Sequence, residues 1–139
     1  MLTRVLFAGV LICWLAGPAS AEEAKVVALG LADREVTVDD LAKGQPPVPK
    51  FNTPAIAYVL AADLKKGDVV EISLSNEEKP LLSNSETLTD DKQTFMLLAG
   101  KRGVPAGGWP QEWKYSAAVK ITRDGKTLIE QSSPPIPFE

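Results

Sequence analysis

The sequence contains no histidine, and its single cysteine, Cys13, lies within the first 21 residues. Those residues, MLTRVLFAGVLICWLAGPASA, have the pattern of a secretory signal peptide. Arg4 gives a positive start, an apolar run covers residues 5–16, and Ala19-Ser20-Ala21 supplies the small residues that precede a cleavage site. Cleavage before Glu22 would therefore leave a mature chain with neither a thiol nor an imidazole.

An uncleaved membrane anchor is the alternative interpretation of this leader. The apolar run is shorter than the roughly 20 residues that cross a bilayer, and Gly17-Pro18 interrupts any helix, so cleavage is favoured. Lipid attachment at Cys13 is disfavoured because Ile12, not a small residue, precedes it. We predict a signal peptide at 1–21 and a single domain at 22–139, periplasmic or secreted, with no membrane insertion after cleavage.

The lack of cysteine and histidine in 22–139 limits the chemistry open to the domain. Zinc, copper and iron sites use mainly those ligands, and histidine is the usual acid–base group near neutral pH. Calcium accepts oxygen ligands, but no D-x-D-x-D-G motif occurs, and Asp90-Asp91 alone is a weak signal. We expect no metal, no cofactor and no disulfide, so packing must stabilise the fold.

The charge balance argues against nucleic acid as a partner. The chain has 15 Lys and Arg against 18 Asp and Glu, a formal net charge of −3, and no basic tract.

Alternation of apolar and polar residues predicts that most of the domain is β-strand. The predicted strands cover 25–31, 55–64, 69–75, 86–89, 92–99, 113–122 and 127–131. The turn Lys65-Lys66-Gly67-Asp68 predicts a hairpin between the second and third strands, and Asp124-Gly125 predicts one between the last two. Thr37 and Asp40 predict one short capped helix over 37–44. The expected fold is all-β, an antiparallel two-sheet sandwich of about seven strands with one short helix.

Some segments have a second interpretation or a special environment. Residues 55–64 are alanine-rich and would suit a helix, but Pro54 and the alternation favour a strand with Ile56, Tyr58 and Leu60 on its buried face. The continuous apolar run at 95–99 suggests burial on both faces. The proline-rich stretches 45–54 and 133–138 are predicted to run along the surface or at sheet edges.

The segment 100–113 is the most suggestive stretch for binding. It holds four glycines, two prolines, the cationic pair Lys101-Arg102, and Trp109 and Trp113. Loops on a rigid sandwich often form binding surfaces, and an exposed tryptophan beside arginine can stack on a ligand. Alternatively the tryptophans cap the core. Capping of the core is favoured for Trp113, because it is in register with the buried face. For Trp109 the sequence supports capping and ligand binding equally.

A small hydrolase is the enzymatic alternative. A Ser–Lys pair is conceivable because serines such as Ser73 and Ser75 accompany several lysines, although polar strand faces produce the same residues. The acids occur in turn-like pairs, Asp39-Asp40, Glu77-Glu78 and Asp90-Asp91, rather than as an evident catalytic pair.

The pattern Gly-Gly-Trp109-Pro-x(4)-Tyr115-x-Ala-x-Val119, followed by Arg-Asp-Gly-Lys, resembles the end of an immunoglobulin-like or fibronectin type III-like sandwich, with Tyr115 in the place of the tyrosine corner. With Tyr58-x(8)-Gly67-Asp68 and the 95–103 strand and loop, it also resembles the small β-domain appended to some lysostaphin-type cell-wall metallopeptidases. The resemblance covers about residues 55–138. Those peptidases need zinc-binding histidine, which this chain lacks, so only an accessory domain is implied.

These observations predict an exported, non-catalytic binding or scaffold domain of the bacterial periplasm or cell envelope. It would recognise a protein or a peptidoglycan component through residues 100–113, with Lys101, Arg102, Trp109 and Trp113 as the binding residues.

Overall fold

Two antiparallel β-sheets enclose the core of this protein. The computed structural model describes residues 24–139 except 78, 102 and the side chain of 101; the predicted signal peptide and its cleavage site lie outside the described residues. Within the described part the strands are β1 (Lys25–Ala32), β2 (Ala55–Leu64), β3 (Val69–Asn76), β4 (Lys79–Thr87), β5 (Lys92–Lys101), β6 (Lys114–Arg123), β7 (Lys126–Ser132) and β8 (Ile136–Pro137). One sheet has the order β1-β2-β5 and the other β4-β3-β6-β7, with β8 also paired to β6. The predicted all-β sandwich is confirmed.

Strand β2 lies at the centre of the three-stranded sheet, and both of its faces are buried. It pairs with β1 on one side and with β5 on the other. Ala57, Val59 and Ala61 face the main core between the sheets. Tyr58 packs on the opposite face, in a small cluster with Ala32 and Val36. The strand prediction is confirmed, but the alanine face, not the Tyr58 face, lines the main core.

The predicted hairpin between β2 and β3 is wrong. Strand β3 pairs with β4 and β6 in the other sheet, so residues 65–68 carry the chain between sheets. Asp68 fixes this crossing: its carboxylate accepts a hydrogen bond from the Lys65 backbone N–H at 2.8 Å. Its own carbonyl accepts from the Leu88 N–H at 2.9 Å. A short glycine-containing turn serves a hairpin and a crossing equally well, so the sequence did not distinguish them.

Strand β6 forms the middle of the five-stranded sheet. Its alternate residues Tyr115, Ala117, Val119 and Ile121 are buried in the main core, as the sequence predicts. The tight hairpin to β7 is also confirmed. Asp124 and Gly125 have φ values of 53° and 79°, which suit the mirror-image two-residue turn that joins twisted strands.

The sandwich is tied along one side by its edge strands β4 and β5. The edge strand predicted at 86–89 overlaps the observed β4 only at residues 86 and 87, because β4 begins at Lys79 and ends at Thr87. The Asn84 side-chain amide on β4 donates to the Leu98 carbonyl on β5 at 2.9 Å. The apolar run of β5 contacts both faces of its sheet, although only Leu97 and Ala99 are fully buried.

The helix α1 (Val38–Ala42) begins at a complete capping box. The Thr37 hydroxyl accepts from the Asp40 N–H at 3.1 Å, and the Asp40 carboxylate accepts from the Thr37 N–H at 2.9 Å. The bond from the Thr37 backbone is the main reason that the pKa of Asp40 lies below its ordinary value. The described residues contain no helix with the length and apolar character needed to cross a lipid bilayer.

Candidate functional site

Three aromatic rings close the end of the core at which segment 100–113 meets β6. Tyr115, on β6, stacks on Phe138, with ring centroids 3.9 Å apart and an interplanar angle of 9°. Trp109 meets both rings edge-on, at 6.0 Å from Tyr115 and 5.9 Å from Phe138. The Tyr115 hydroxyl donates to the Pro110 carbonyl at 2.9 Å. These contacts give the second half of the segment a rigid base.

Trp109 belongs to the hydrophobic core. Its side chain is 7% exposed, and its indole N–H donates to the Thr53 carbonyl at 2.9 Å. Its backbone N–H donates to the Phe51 carbonyl at 2.8 Å. Gly108, at φ 86°, lies so close that a Cβ would meet the Phe51 carbonyl oxygen at 2.8 Å. Of the two alternatives open from the sequence, the structure supports the capping role for Trp109.

Trp113 lies at the surface, so the favoured expectation that it caps the core is wrong. It is 36% exposed and lies tilted against Tyr115, with ring centroids 6.3 Å apart. Trp113 has the inward parity of β6 but precedes its first residue, Lys114. Trp113 therefore lies before the first paired position of β6, the pair of Lys114 with Pro137.

The structure describes only part of the cationic pair Lys101-Arg102. The Lys101 backbone ends β5 opposite Ala55, whereas its side chain and all of Arg102 lie outside the described residues. Val104 follows with 39% exposure. Of the four predicted binding residues, Trp113 is thus the one whose side chain is seen at the surface.

The sequence prediction missed a buried ion pair at the other end of β6, where the strand ends at Arg123. The Arg123 guanidinium donates to both carboxylate oxygens of Asp68, at 2.8 and 2.9 Å, and Asp68 is fully buried. Burial raises the pKa of Asp68, but the bonds from Arg123 and the Lys65 backbone N–H outweigh burial and lower it. The sequence placed Asp68 in an exposed turn, and we see no local pattern that indicates its long-range partner.

Comparison with protein-family models, curated proteins and solved structures gives no match. The interpretation of the site therefore rests on its geometry.

The geometry offers little support for the hydrolase alternative. Ser75, Ser116 and Lys114 line one cleft, but no serine hydroxyl is hydrogen-bonded to a lysine amine within the described part of the chain. The acidic pairs occupy caps and turns: Asp40 caps α1, and Asp91 accepts from the Lys66 backbone N–H at 2.8 Å. Among residues 24–139 with the gaps noted, no three Cys, His, Asp or Glu side chains group as a metal site would require.

Proposed function

We propose that this chain is an exported, non-catalytic binding or scaffold domain of the periplasm or cell envelope, which contacts a protein or a peptidoglycan component through segment 100–113. The observation that carries this proposal is the position of Trp113. Its indole ring is partly exposed, on a segment whose base is held by Trp109 and Tyr115.

The physical reason is that a rigid, partly exposed tryptophan loses little conformational freedom on binding. Residues of this type supply much of the affinity at protein interfaces.

The proposal includes an immunoglobulin-like or fibronectin type III-like fold and an accessory role like that of the β-domain in cell-wall metallopeptidases. Two features support it. The chain moves from one sheet to the other after β2, β4 and β5. The Tyr115 hydroxyl also bonds a backbone carbonyl five residues upstream, as in a tyrosine corner.

The test compares Trp113→Ala with Leu128→Ala, because Leu128 is equally exposed but lies on β7. Retention of each purified variant on peptidoglycan sacculi would be measured, and photo-crosslinkers at positions 113 and 128 would be compared in intact cells. Trp113→Ala should reduce retention about tenfold or more, as expected for an interface anchor, and a crosslinker at position 113 should give a partner adduct that a crosslinker at position 128 does not. Leu128→Ala should behave as the unmodified protein. Equal behaviour of the two positions in both assays would show that segment 100–113 is not the binding surface.

A further inference from the structure

A polar cleft lies on the outer face of the five-stranded sheet, away from the aromatic cluster. Its volume is about 620 Å³, and it is lined by residues of β3, β6 and the 132–135 segment, together with Glu77. This volume falls within the roughly 300–1,000 Å³ typical of small-ligand sites. No aromatic ring lines it in the described part of the chain, which disfavours stacking on a sugar.

Strand alternation explains which side chains reach this cleft. Tyr115 and Ala117 face the core, so Lys114 and Ser116 stand on the outer face of β6. Ser75 on β3 is the register partner of Ser116. Asn76 and Tyr115 form the next register pair. Glu77 comes directly after Asn76 in the chain, and Lys114 comes directly before Tyr115. Two serines and two opposite charges therefore lie together at one end of the cleft.

The Ser75 hydroxyl is available to a ligand in the cleft. Ser75 is only 7% exposed as a residue, and its hydroxyl has no hydrogen-bond partner among the described residues. The hydroxyl oxygen is open to the cleft, because the enclosed side-chain atom that lacks a partner in the described part of the chain is Asn76 Oδ1. A polar group that enters the cleft can therefore bond to the Ser75 hydroxyl in place of water.

The charges indicate which kind of ligand. Glu77 and Lys114 form no ion pair with each other or with another side chain in the described residues. A simple anion would be attracted to Lys114 but repelled by the Glu77 carboxylate, and a simple cation would meet the reverse. A molecule with both charges close together is favoured by both residues.

We propose that this cleft binds the α-ammonium and α-carboxylate head group of an amino acid. Lys114 contacts the carboxylate and Glu77 contacts the ammonium group. The Ser75 and Ser116 hydroxyls donate to the carboxylate, and the ligand's side chain lies over Ala118. The inference concerns a site separate from segment 100–113 and does not depend on the function proposed for it.

The test follows the backbone amide signals of the ¹⁵N-labelled processed protein during titration with glycine, D-alanine and meso-diaminopimelate. Saturable shifts are expected at Ser75, Ser116 and Ala118. N-acetylglycine lacks the ammonium group and glycinamide lacks the carboxylate. Each should therefore bind at least about tenfold more weakly than glycine, because one charge-assisted contact is lost. Absence of saturable shifts at the cleft, or an affinity for either blocked compound equal to that for glycine, would refute the proposal.

Variants locate the contacts within the cleft. Lys114→Gln and Glu77→Gln should each weaken glycine binding about tenfold, and Ser75→Ala about threefold, because the serine hydroxyl carries no charge of its own and its contact is weaker than that between two ionised groups. The matched controls are Lys126→Gln and Ser85→Ala, which lie outside the cleft and should bind glycine normally.

Equal losses in the variants and the controls would overturn the assignment. Acetate shifts matching those of glycine would reveal an adventitious anion only, and would overturn it as well. Trp113→Ala should retain glycine binding, so failure of this proposal and failure of the proposed function can be distinguished.

Discussion

The Asp68–Arg123 pair provides a sharp test of the energetics, because its two partners differ in exposure. Asp68 is fully buried, whereas the Arg123 side chain is 29% exposed. Replacing Arg123 leaves a buried carboxylate whose remaining donor within the crossing is the Lys65 N–H. Replacing Asp68 leaves a cation that still reaches water. We expect Arg123→Met to lower the free energy of unfolding at pH 7 by about 3–5 kcal/mol, and Asp68→Asn to lower it by about 2 kcal/mol.

The loss of stability in Arg123→Met should depend on pH, because the pKa of Asp68 differs between the two proteins. In the unmodified protein the pKa of Asp68 is lowered, so the pair stabilises the fold above the unfolded-state pKa of about 4 and this contribution is lost as the pH falls through the folded-state value. In Arg123→Met, burial without the guanidinium raises the Asp68 pKa, and protonation on acidification relieves the penalty. The stability difference between the two proteins should therefore shrink as the pH falls from 7 toward 4.

Urea unfolding of both variants and the unmodified protein, at several pH values between 7 and 4, measures these differences directly. At pH 7 the thermal midpoint of Arg123→Met should fall by roughly 15 °C, taking about 4 °C per kcal/mol for a domain of this size. The reasoning is refuted if the loss in Arg123→Met is independent of pH, or if Asp68→Asn destabilises the protein more than Arg123→Met does.

Four further substitutions test the core and the helix cap, each by urea unfolding. Trp109→Ala should cost about 3–5 kcal/mol because a buried aromatic side chain is removed, whereas Trp113→Ala should cost about 1 kcal/mol or less because the ring is partly exposed; similar costs would contradict their assigned positions. Tyr115→Phe should cost about 1 kcal/mol through loss of the bond to the Pro110 carbonyl, and an unchanged midpoint would argue against that bond. Thr37→Ala should cost about 1 kcal/mol by removing the α1 cap; a neutral result would mean that α1 does not depend on its capping box.

The strands could be predicted because their sequence signals are local. The alternation from Tyr115 to Ile121 and the Asp124-Gly125 turn each specify structure within a few residues, and both are observed as predicted. The choice of partner strand is different, because it depends on contacts far along the chain. Residues 65–68 predicted a hairpin, but the bonds of Asp68 to Arg123 fix a crossing between sheets.

The binding residues were harder to place for the same reason. The burial of Trp109 depends on its contacts with Phe51, Thr53 and Phe138, which lie in other parts of the chain. The outer cleft was not predicted from the sequence. Alternation identifies its serines as polar residues of strands, but it does not give the register of β3 and β6 that brings Ser75 next to Ser116.

The pair between Asp68 and Arg123 also has a kinetic consequence. Its members are 55 residues apart in the chain, and contacts that close long loops generally form late in folding. The β6–β7 hairpin, in contrast, can form within microseconds. The ion pair is therefore expected to slow unfolding while leaving the folding rate almost unchanged. Such a pair separates the speed of folding from the lifetime of the folded state.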